Sequence, residues 1–389
     1  MQQSTWFTPE GLEDLLPPQA HKLEFYRRKL IDSFHLSGYD LVLPPIAEFT
    51  DSLLTGTGRH RAIDTCRFTD QESGRMMGVR ADMTPQVARI VSNRLKAADQ
   101  ISRLCYVGEV LKTRNNKAKG SRSPIQVGAE LFGHAGVESD IEVIELMLDS
   151  LKVLNLPNLQ LSLGHVGVVD ELMSLAELSA DDKETLLDIL KRKAIPEYNA
   201  WLATSAISAS LKPVFAALMQ LAGEAGEVIQ QAQNNLGGLS KILDGALEHL
   251  EKVVAHISTA QGLNIHLDLA DIRGYQYHTG VIFSCYSCGR RLQLIAKGGR
   301  YDGIGADFGL SLPATGFSLD LRTALDLLEP VAETLTGVVY APVVADLSLK
   351  QKVAELKQQG YQVVSCYDFA TLDASAARLS AEGGQWVLK

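Results

Sequence analysis

Partway along the chain, over about 139–260, the sequence changes texture. Ala, Leu, Glu, Lys and Gln dominate there, and the runs 171–190 and 211–233 read as helices. Only 159–163, before Gly164-His165, looks like a strand within it. On either side lie short strand-like pieces with Gly-rich turns: 105–111 and 125–132 before it, and several between Asn264 and Leu321 after it. Strands that flank a helical stretch are most simply one α+β domain interrupted by a helical insertion.

The ends of the chain refine this layout. After Pro17-Pro18, the stretch 19–37 carries Leu23, Tyr26, Leu30 and Phe34 at helical spacing and stops at Gly38. Tyr39 to Leu43 is apolar and closed by Pro44-Pro45, which predicts a strand at a sheet edge or end. Beyond Thr323 the chain alternates: apolar 338–345, helical 348–359, apolar 361–366, helical 370–380, apolar 385–388. The expected organisation is a domain over 1–323 with its insertion at 139–260, followed by a small α/β unit over 324–389.

Composition excludes several classes. With 46% hydrophobic and 21% charged residues in 389, wholesale disorder is ruled out. A formal charge of −9 gives no global attraction for nucleic acid or anionic membrane. Five scattered cysteines do not make a disulfide scaffold. Cys285 and Cys288 lack the second ligand pair a zinc site needs and read as ordinary strand residues. The opening MQQSTWFTPEGLEDLLPP has neither a basic start nor an apolar run, so no secretory signal is expected. No stretch approaches the ~20 apolar residues of a membrane span. The expected location is cytoplasmic, with no membrane, metal or cofactor.

Polar residues concentrate in four places. Arg80-Ala-Asp82-Met-Thr84 sets a cation, a carboxylate and a hydroxyl close together; in an extended strand Asp82 and Thr84 share a face. Gln126 and Glu130 alternate with Val127, Ala129 and Leu131, as on a half-exposed sheet. Arg273-Gly-Tyr-Gln-Tyr277-His278-Thr-Gly280 offers a fixed cation, aromatic walls and several donors, a set suited to a small polar ligand. Gly298-Gly299-Arg300-Tyr301-Asp302-Gly303 is neither a Walker loop nor a dinucleotide fingerprint and reads as a polar turn.

In this order the motifs resemble class II histidyl-tRNA synthetases over roughly 8–323. Gly11-Leu-Glu-Asp14-Leu-Leu-Pro17, Gly38-Tyr39 and Pro45 resemble the opening and motif 1. Phe68–Asp70 and Arg80–Thr84 resemble the segment that holds an amino group. Tyr106-Val-Gly108 through Gln126, Gly128, Glu130 and Gly133 resembles motif 2 and its strand. Arg273–Gly280 resembles the histidine-recognition signature, and Gly316-Phe317-Ser-Leu-Asp-Leu the start of motif 3. The resemblance implies a class II antiparallel sheet flanked by helices. It also implies a histidine site of Asp82, Thr84, Gln126, Glu130, Arg273, Tyr277 and His278, although the family has tyrosine where His278 stands.

The chain departs from that family where ATP would be gripped. Lys112 replaces the motif 2 arginine, Arg114 stands at the glutamate position and Thr323 at the motif 3 arginine, with Arg322 one residue early. Lysine offers phosphate a point charge without a bidentate fork. The motif 2 loop is Thr113–Arg122, and the tail is expected to be too short for an anticodon-binding domain. A kept amino-acid pocket with eroded ATP and tRNA parts resembles a paralogous family, the regulatory subunits of ATP phosphoribosyltransferase. That resemblance implies a non-catalytic chain with histidine as allosteric ligand, which activates the short-form catalytic subunit in the first step of histidine biosynthesis. It further implies a homodimer within a hetero-oligomer and no tRNA. A divergent active histidyl-tRNA synthetase is the alternative, and a synthetase-like chain with another partner is a third.

Overall fold

The structure, a computed structural model, describes residues 7–55, 63–95, 100–114, 121–258, 262–288, 292–328 and 335–389. It divides into two compact units, Met1–Glu329 and Pro330–Lys389. Most of the loop 113–122 read as motif 2 lies outside the described residues.

The first unit begins with α1 (Gln19–Leu36). Its residues Leu23, Tyr26, Leu30 and Phe34 are buried, as their spacing predicts, and Gly38 follows the helix at φ +82°. Next come β1 (Asp40–Leu41), β2 (Ala47–Phe49), α2 (Thr50–Leu53), β3 (Arg67–Thr69), β4 (Met76–Val79) and α3 (Thr84–Ile90). Two long strands, β5 (Ser102–Glu109) and β6 (Ile125–Phe132), precede α4 (Val137–Val153) and β7 (Leu159–His165). The helical stretch then runs through α5 (Val166–Leu175), α6 (Ala180–Arg192), α7 (Ile195–Thr204) and α8 (Lys212–Leu218). It continues with β8 (Ala222–Glu224), α9 (Ala225–Leu236) and α10 (Lys241–Ile257). Finally β9 (Asn264–Asp268), β10 (Val281–Cys288), β11 (Leu292–Arg300), β12 (Ala314–Asp320) and α11 (Leu321–Ala324) complete the unit.

Among the described residues nine strands form one sheet in the order β1-β5-β6-β12-β11-β10-β7-β9-β8, and β2-β4-β3 make a small antiparallel sheet. The large sheet is antiparallel except where β1 pairs with β5 and β7 with β9. Strand β7, which lies within the helix-rich stretch, therefore pairs with β10 in the middle of the sheet. Around it, α10 buries Leu243, Leu247, Leu250, Val254 and Ile257 and packs on α4, α5 and α9. Two runs expected as single helices are broken. Glu177 takes a left-handed φ of +48° and Ser179 caps α6, accepting from the Asp182 N–H; the second run turns at Gly223 inside β8.

The Arg80–Thr84 stretch is not an extended strand: β4 ends at Val79 and Thr84 opens α3, with Pro85 in its first turn. Proline fixes the φ that a first helical turn needs, so Asp82 and Thr84 never sit two apart on a sheet face. Nor is β6 half-exposed. It lies between β5 and β12, and only Gln126 along it is less than fully buried.

The second unit holds β13 (Gly337–Pro342), α12 (Leu347–Gln358), β14 (Tyr361–Cys366), β15 (Leu379–Glu382) and β16 (Gln385–Leu388). Strands β13 and β14 are parallel, and β15 and β16 form a hairpin. The helix expected over 370–380 is absent; only a 3₁₀ turn, Phe369–Thr371, forms there. Asp373 Oδ1 instead accepts from the Ser375 N–H at 2.9 Å and hydroxyl at 2.7 Å, a local turn that competes with helix, and Leu379 is drawn into the hairpin against Leu388.

Candidate functional site

Six of the seven expected ligand residues, Asp82, Thr84, Glu130, Arg273, Tyr277 and His278, line one cavity of about 290 Å³ in the first unit. Strands β10, β11 and β12, with Glu130 of β6, supply its floor, the segment 271–278 one wall, and the turn before α3 the other. The seventh, Gln126, stands behind that wall. Its Nε2 donates to Asp82 Oδ1 at 2.9 Å and its Oε1 accepts from the Met83 N–H at 2.9 Å. Gln126 thus positions Asp82.

Glu130 is 1% exposed. Its Oε1 accepts from the Thr84 hydroxyl at 2.7 Å and from Tyr106 at 3.0 Å, while the Tyr301 hydroxyl donates to Oε2. Burial pushes the carboxyl up to about 8, outweighing the Tyr301, Thr84 and Tyr106 hydroxyls that favour the ionised form; the Asp82 charge adds to the rise. Space for the rings around it comes from glycine. A Cβ at Gly128 would lie 2.6 Å from the Tyr106 hydroxyl, and one at Gly299 2.8 Å from His278 Nδ1.

Across the cavity, Arg273 is already held. Its Nε lies 2.8 and 2.9 Å from the two oxygens of Asp271, which is 3% exposed, and its Nη1 donates to the Tyr286 hydroxyl. Half of its side-chain surface stays open, so the outer edge of the guanidinium can meet a ligand carboxylate. Between the two walls the rings of Tyr277, His278 and Tyr301 cluster, with Tyr277 at 5.0 Å from His278 and 5.2 Å from Tyr301 between centroids. The arrangement can therefore take a small zwitterion: carboxyls on one wall, a guanidinium on the other, aromatic rings between.

The expected polar turn at 298–303 has a firmer role. Arg300 faces away from the cavity and donates to Asp140 Oδ2 at 2.9 Å and Ser139 Oγ at 2.8 Å, as well as to the carbonyls of His134 and Gly136. This buried anchor fixes the chain just where Tyr301 turns in to Glu130.

Lys112, Arg114 and Thr323 do not line the cavity. Thr323 folds its hydroxyl back onto Asp320 Oδ2, and its N–H donates to Asp320 Oδ1 at 3.2 Å, capping α11. Arg322 points elsewhere, to the Glu13 carbonyl at 3.0 Å. Arg114 is exposed, and Lys112 is tied through its backbone to Arg122.

Sequence reasoning missed four contributors. Tyr106 and Tyr301 lay inside motifs already quoted, and Asp271 two residues before Arg273 was a readable partner. Tyr286 gave no signal, lying between the two cysteines of its strand. Cys285 and Cys288 carry free thiols. Among the described residues no three His, Cys, Asp or Glu side chains group closely enough to hold a metal ion, and no helix is long and apolar enough to cross a membrane.

Residues 11–324 match the histidyl-tRNA synthetase family model. The chain is 61% identical over 388 residues to the ATP phosphoribosyltransferase regulatory subunit of Hydrogenovibrio crunogenus, covering 100% of this chain and 99% of that one. Its fold is similar to a Bacillus halodurans structure described as an ATP phosphoribosyltransferase regulatory subunit/histidyl-tRNA synthetase, at TM-score 0.82, 24% identity and coverage of 96% and 95%. It is also similar to a chain of the ATP phosphoribosyl transferase (HisG:HisZ) complex from Thermotoga maritima, at TM-score 0.59, 17% identity and coverage of 79% and 98%.

Proposed function

Because this chain belongs to the ATP phosphoribosyltransferase regulatory subunit family, on a class II histidyl-tRNA synthetase fold, we propose that it is the histidine-sensing partner of a short-form catalytic subunit. It activates that subunit and relays feedback inhibition, and it has no adenylating activity of its own. The observation that carries this reading is the division within one domain. The amino-acid cavity is assembled from Asp82, Thr84, Glu130, Arg273, Tyr277 and His278, while Thr323 and Arg322 are bound up elsewhere.

Each part of histidine has a place. The ammonium sits against the wall of Asp82, Thr84 and Glu130; the carboxylate meets the open edge of Arg273; the imidazole lies among Tyr277, His278 and Tyr301. Feedback follows if the filled cavity favours one arrangement of the hetero-oligomer, since a ligand indifferent to both states shifts nothing.

A homodimer forms the core of that assembly. The stripe of Leu23, Tyr26, Leu30 and Phe34 is committed to the chain's own core. The mate is met by the surface beside it, where Leu36, Leu41, Leu43 and Ile46 are exposed next to the open edge of β1.

Calorimetry with L-histidine on the purified chain tests the sensing role; no binding at millimolar histidine removes it. Histidine-driven ATP–pyrophosphate exchange would instead support a divergent synthetase.

A further inference from the structure

Ser284, Lys297 and Ser318 form a row across the floor of the cavity. Lys297 of β11 is the register partner of Ser284 on β10 and of Ser318 on β12, and all three line the cavity. Register partners point to one face of a sheet, so an ammonium rises from the floor between two hydroxyls. Ser284 is 8% exposed, yet neither its hydroxyl nor that of Ser318 has a hydrogen-bond partner among the described residues. Both hydroxyls are therefore available to a ligand. One strand further, Ser284 pairs with Ser162 of β7, whose Oγ lies 3.5 Å from Arg273 Nη2. With neighbouring strands ~4.8 Å apart, Ser284 stands midway between the strands that carry Ser162 and Lys297.

Charge decides what this row can hold. The carboxyls that line the cavity belong to Asp82, Glu130 and Asp271, and the long cationic side chains to Arg273 and Lys297. Arg273 does not bring a whole charge to a ligand, because its Nε and Nη2 already donate to the buried Asp271 carboxylate. A ligand carboxylate set against Arg273 alone would meet a neutral pair. The balancing positive charge comes from Lys297. Lys297 has a protein interaction of its own, but its side chain is exposed and flexible and can swing to an oxygen above Ser284. In the next row along β11 and β12 stand Gly299 and Gly316, so these strands raise no side chain between Lys297 and the rest of the cavity.

Resting on the reading of this cavity as a histidine site, we propose that Lys297 is the residue that selects a ligand with a free carboxylate. The carboxylate oxygens accept from the Lys297 ammonium and from the Ser284 and Ser318 hydroxyls, with the open edge of Arg273 bordering them. The site then distinguishes an α-amino acid from the alcohol or amide built on the same side chain. Those analogues leave the ammonium facing a neutral group, and a site built for a charged partner rejects the ligand that lacks it.

The experiment is titration calorimetry of the full chain with L-histidine and with L-histidinol, in which CH2OH replaces the carboxylate. Histidinol too weak for direct titration is read from its displacement of histidine. The unaltered chain should prefer histidine by about a hundredfold. Lys297→Met keeps the apolar stem and removes the charge. It should weaken histidine about ten- to thirtyfold and leave histidinol within about twofold, so that most of the preference is lost. Lys297→Arg, which returns the charge, should recover most of it. An equal loss of both ligands in Lys297→Met overturns the proposal, because Lys297 then shapes the site without reading the carboxylate. A preference that survives intact in Lys297→Met also overturns it and assigns the carboxylate to Arg273 alone. Equal affinity for the two ligands in the unaltered chain overturns it as well. Each of these results leaves the histidine reading standing, whereas no histidine binding by the unaltered chain removes both.

Discussion

Gly316 lies so close to Glu130 that a Cβ on its backbone would sit 1.6 Å from Oε2. The two residues are register partners on β12 and β6, so neither strand can yield without disturbing the sheet. Gly316→Ala should therefore expel the carboxyl from its hydroxyl cage. We expect about 2–4 kcal/mol lost by denaturant unfolding, overpacking and broken hydrogen bonds combined, and histidine binding reduced beyond calorimetric detection. Gly245→Ala, on an exposed face of α10 with nothing within 4 Å of the new Cβ, is the control. It should stabilise by about 0.5–1 kcal/mol.

The same carboxyl sets a pH dependence in the empty protein. Its folded value, about 8, lies above the ordinary carboxylate value of 4.5. Between those two pH values the unfolded chain has lost the proton and the folded chain keeps it. The folded state then binds more protons, so this group's contribution to stability falls as pH rises from about 4.5 to 8. Glu130→Gln should flatten that part of the profile, measured as unfolding midpoints at pH 5, 6, 7 and 8. Parallel profiles for the two proteins would show that Glu130 is ionised throughout.

The two predictions use what the sequence yielded least readily. Helix α1 was legible because its burial repeats at the helical period, and strand β6 because polar and apolar residues alternate along it although both its faces are covered. Asp82 and Thr84 were legible as residues but not as geometry: Pro85 starts a helix where alternation suggests a strand, and the pair meets through a backbone bond instead. The 370–380 segment misled for a related reason. Its alanines favour helix, but Asp373 and Ser375 form a turn and Leu379 pairs with Leu388 in the hairpin that follows. For the cavity, the order of motifs named most of the lining and Asp271 stood two residues from Arg273, while Tyr286 emerges only when β10 and the segment before it are brought together.

Arg273→Ala tests the opposite wall. The guanidinium is half open and shares its charge with Asp271, so its loss should cost less than that of a fully buried pair. Histidine affinity should fall about ten- to hundredfold. In the assembled transferase, inhibition by histidine should weaken by the same factor while activation of the catalytic subunit stays near its original level. Loss of activation together with inhibition would place Arg273 in the assembly itself.

The edge of the large sheet makes a separate prediction. Leu43 is 74% exposed and Ile46 57%, beside a strand whose outer side has no partner among the described residues. Such an edge invites pairing with a second copy. Leu43→Lys should convert a dimer to monomer in light scattering of the isolated chain, without changing its circular dichroism. A monomer mass for the unaltered chain at all concentrations removes the dimer.

The last prediction concerns chemistry the chain should lack. Thr323 is spent on Asp320 and Arg322 on the Glu13 carbonyl, so neither presents a cation to the cavity. Stabilising a transferring phosphoryl group requires fixed positive charge aimed at its oxygens. We expect no histidine-dependent ATP–pyrophosphate exchange above background, and no charging of tRNA, from the unaltered chain. Thr323→Arg alone should not create exchange either, since Lys112 and Arg114 remain outside the cavity lining. Robust exchange by the unaltered chain would show that other groups hold the nucleotide, and the chain would then be an active synthetase.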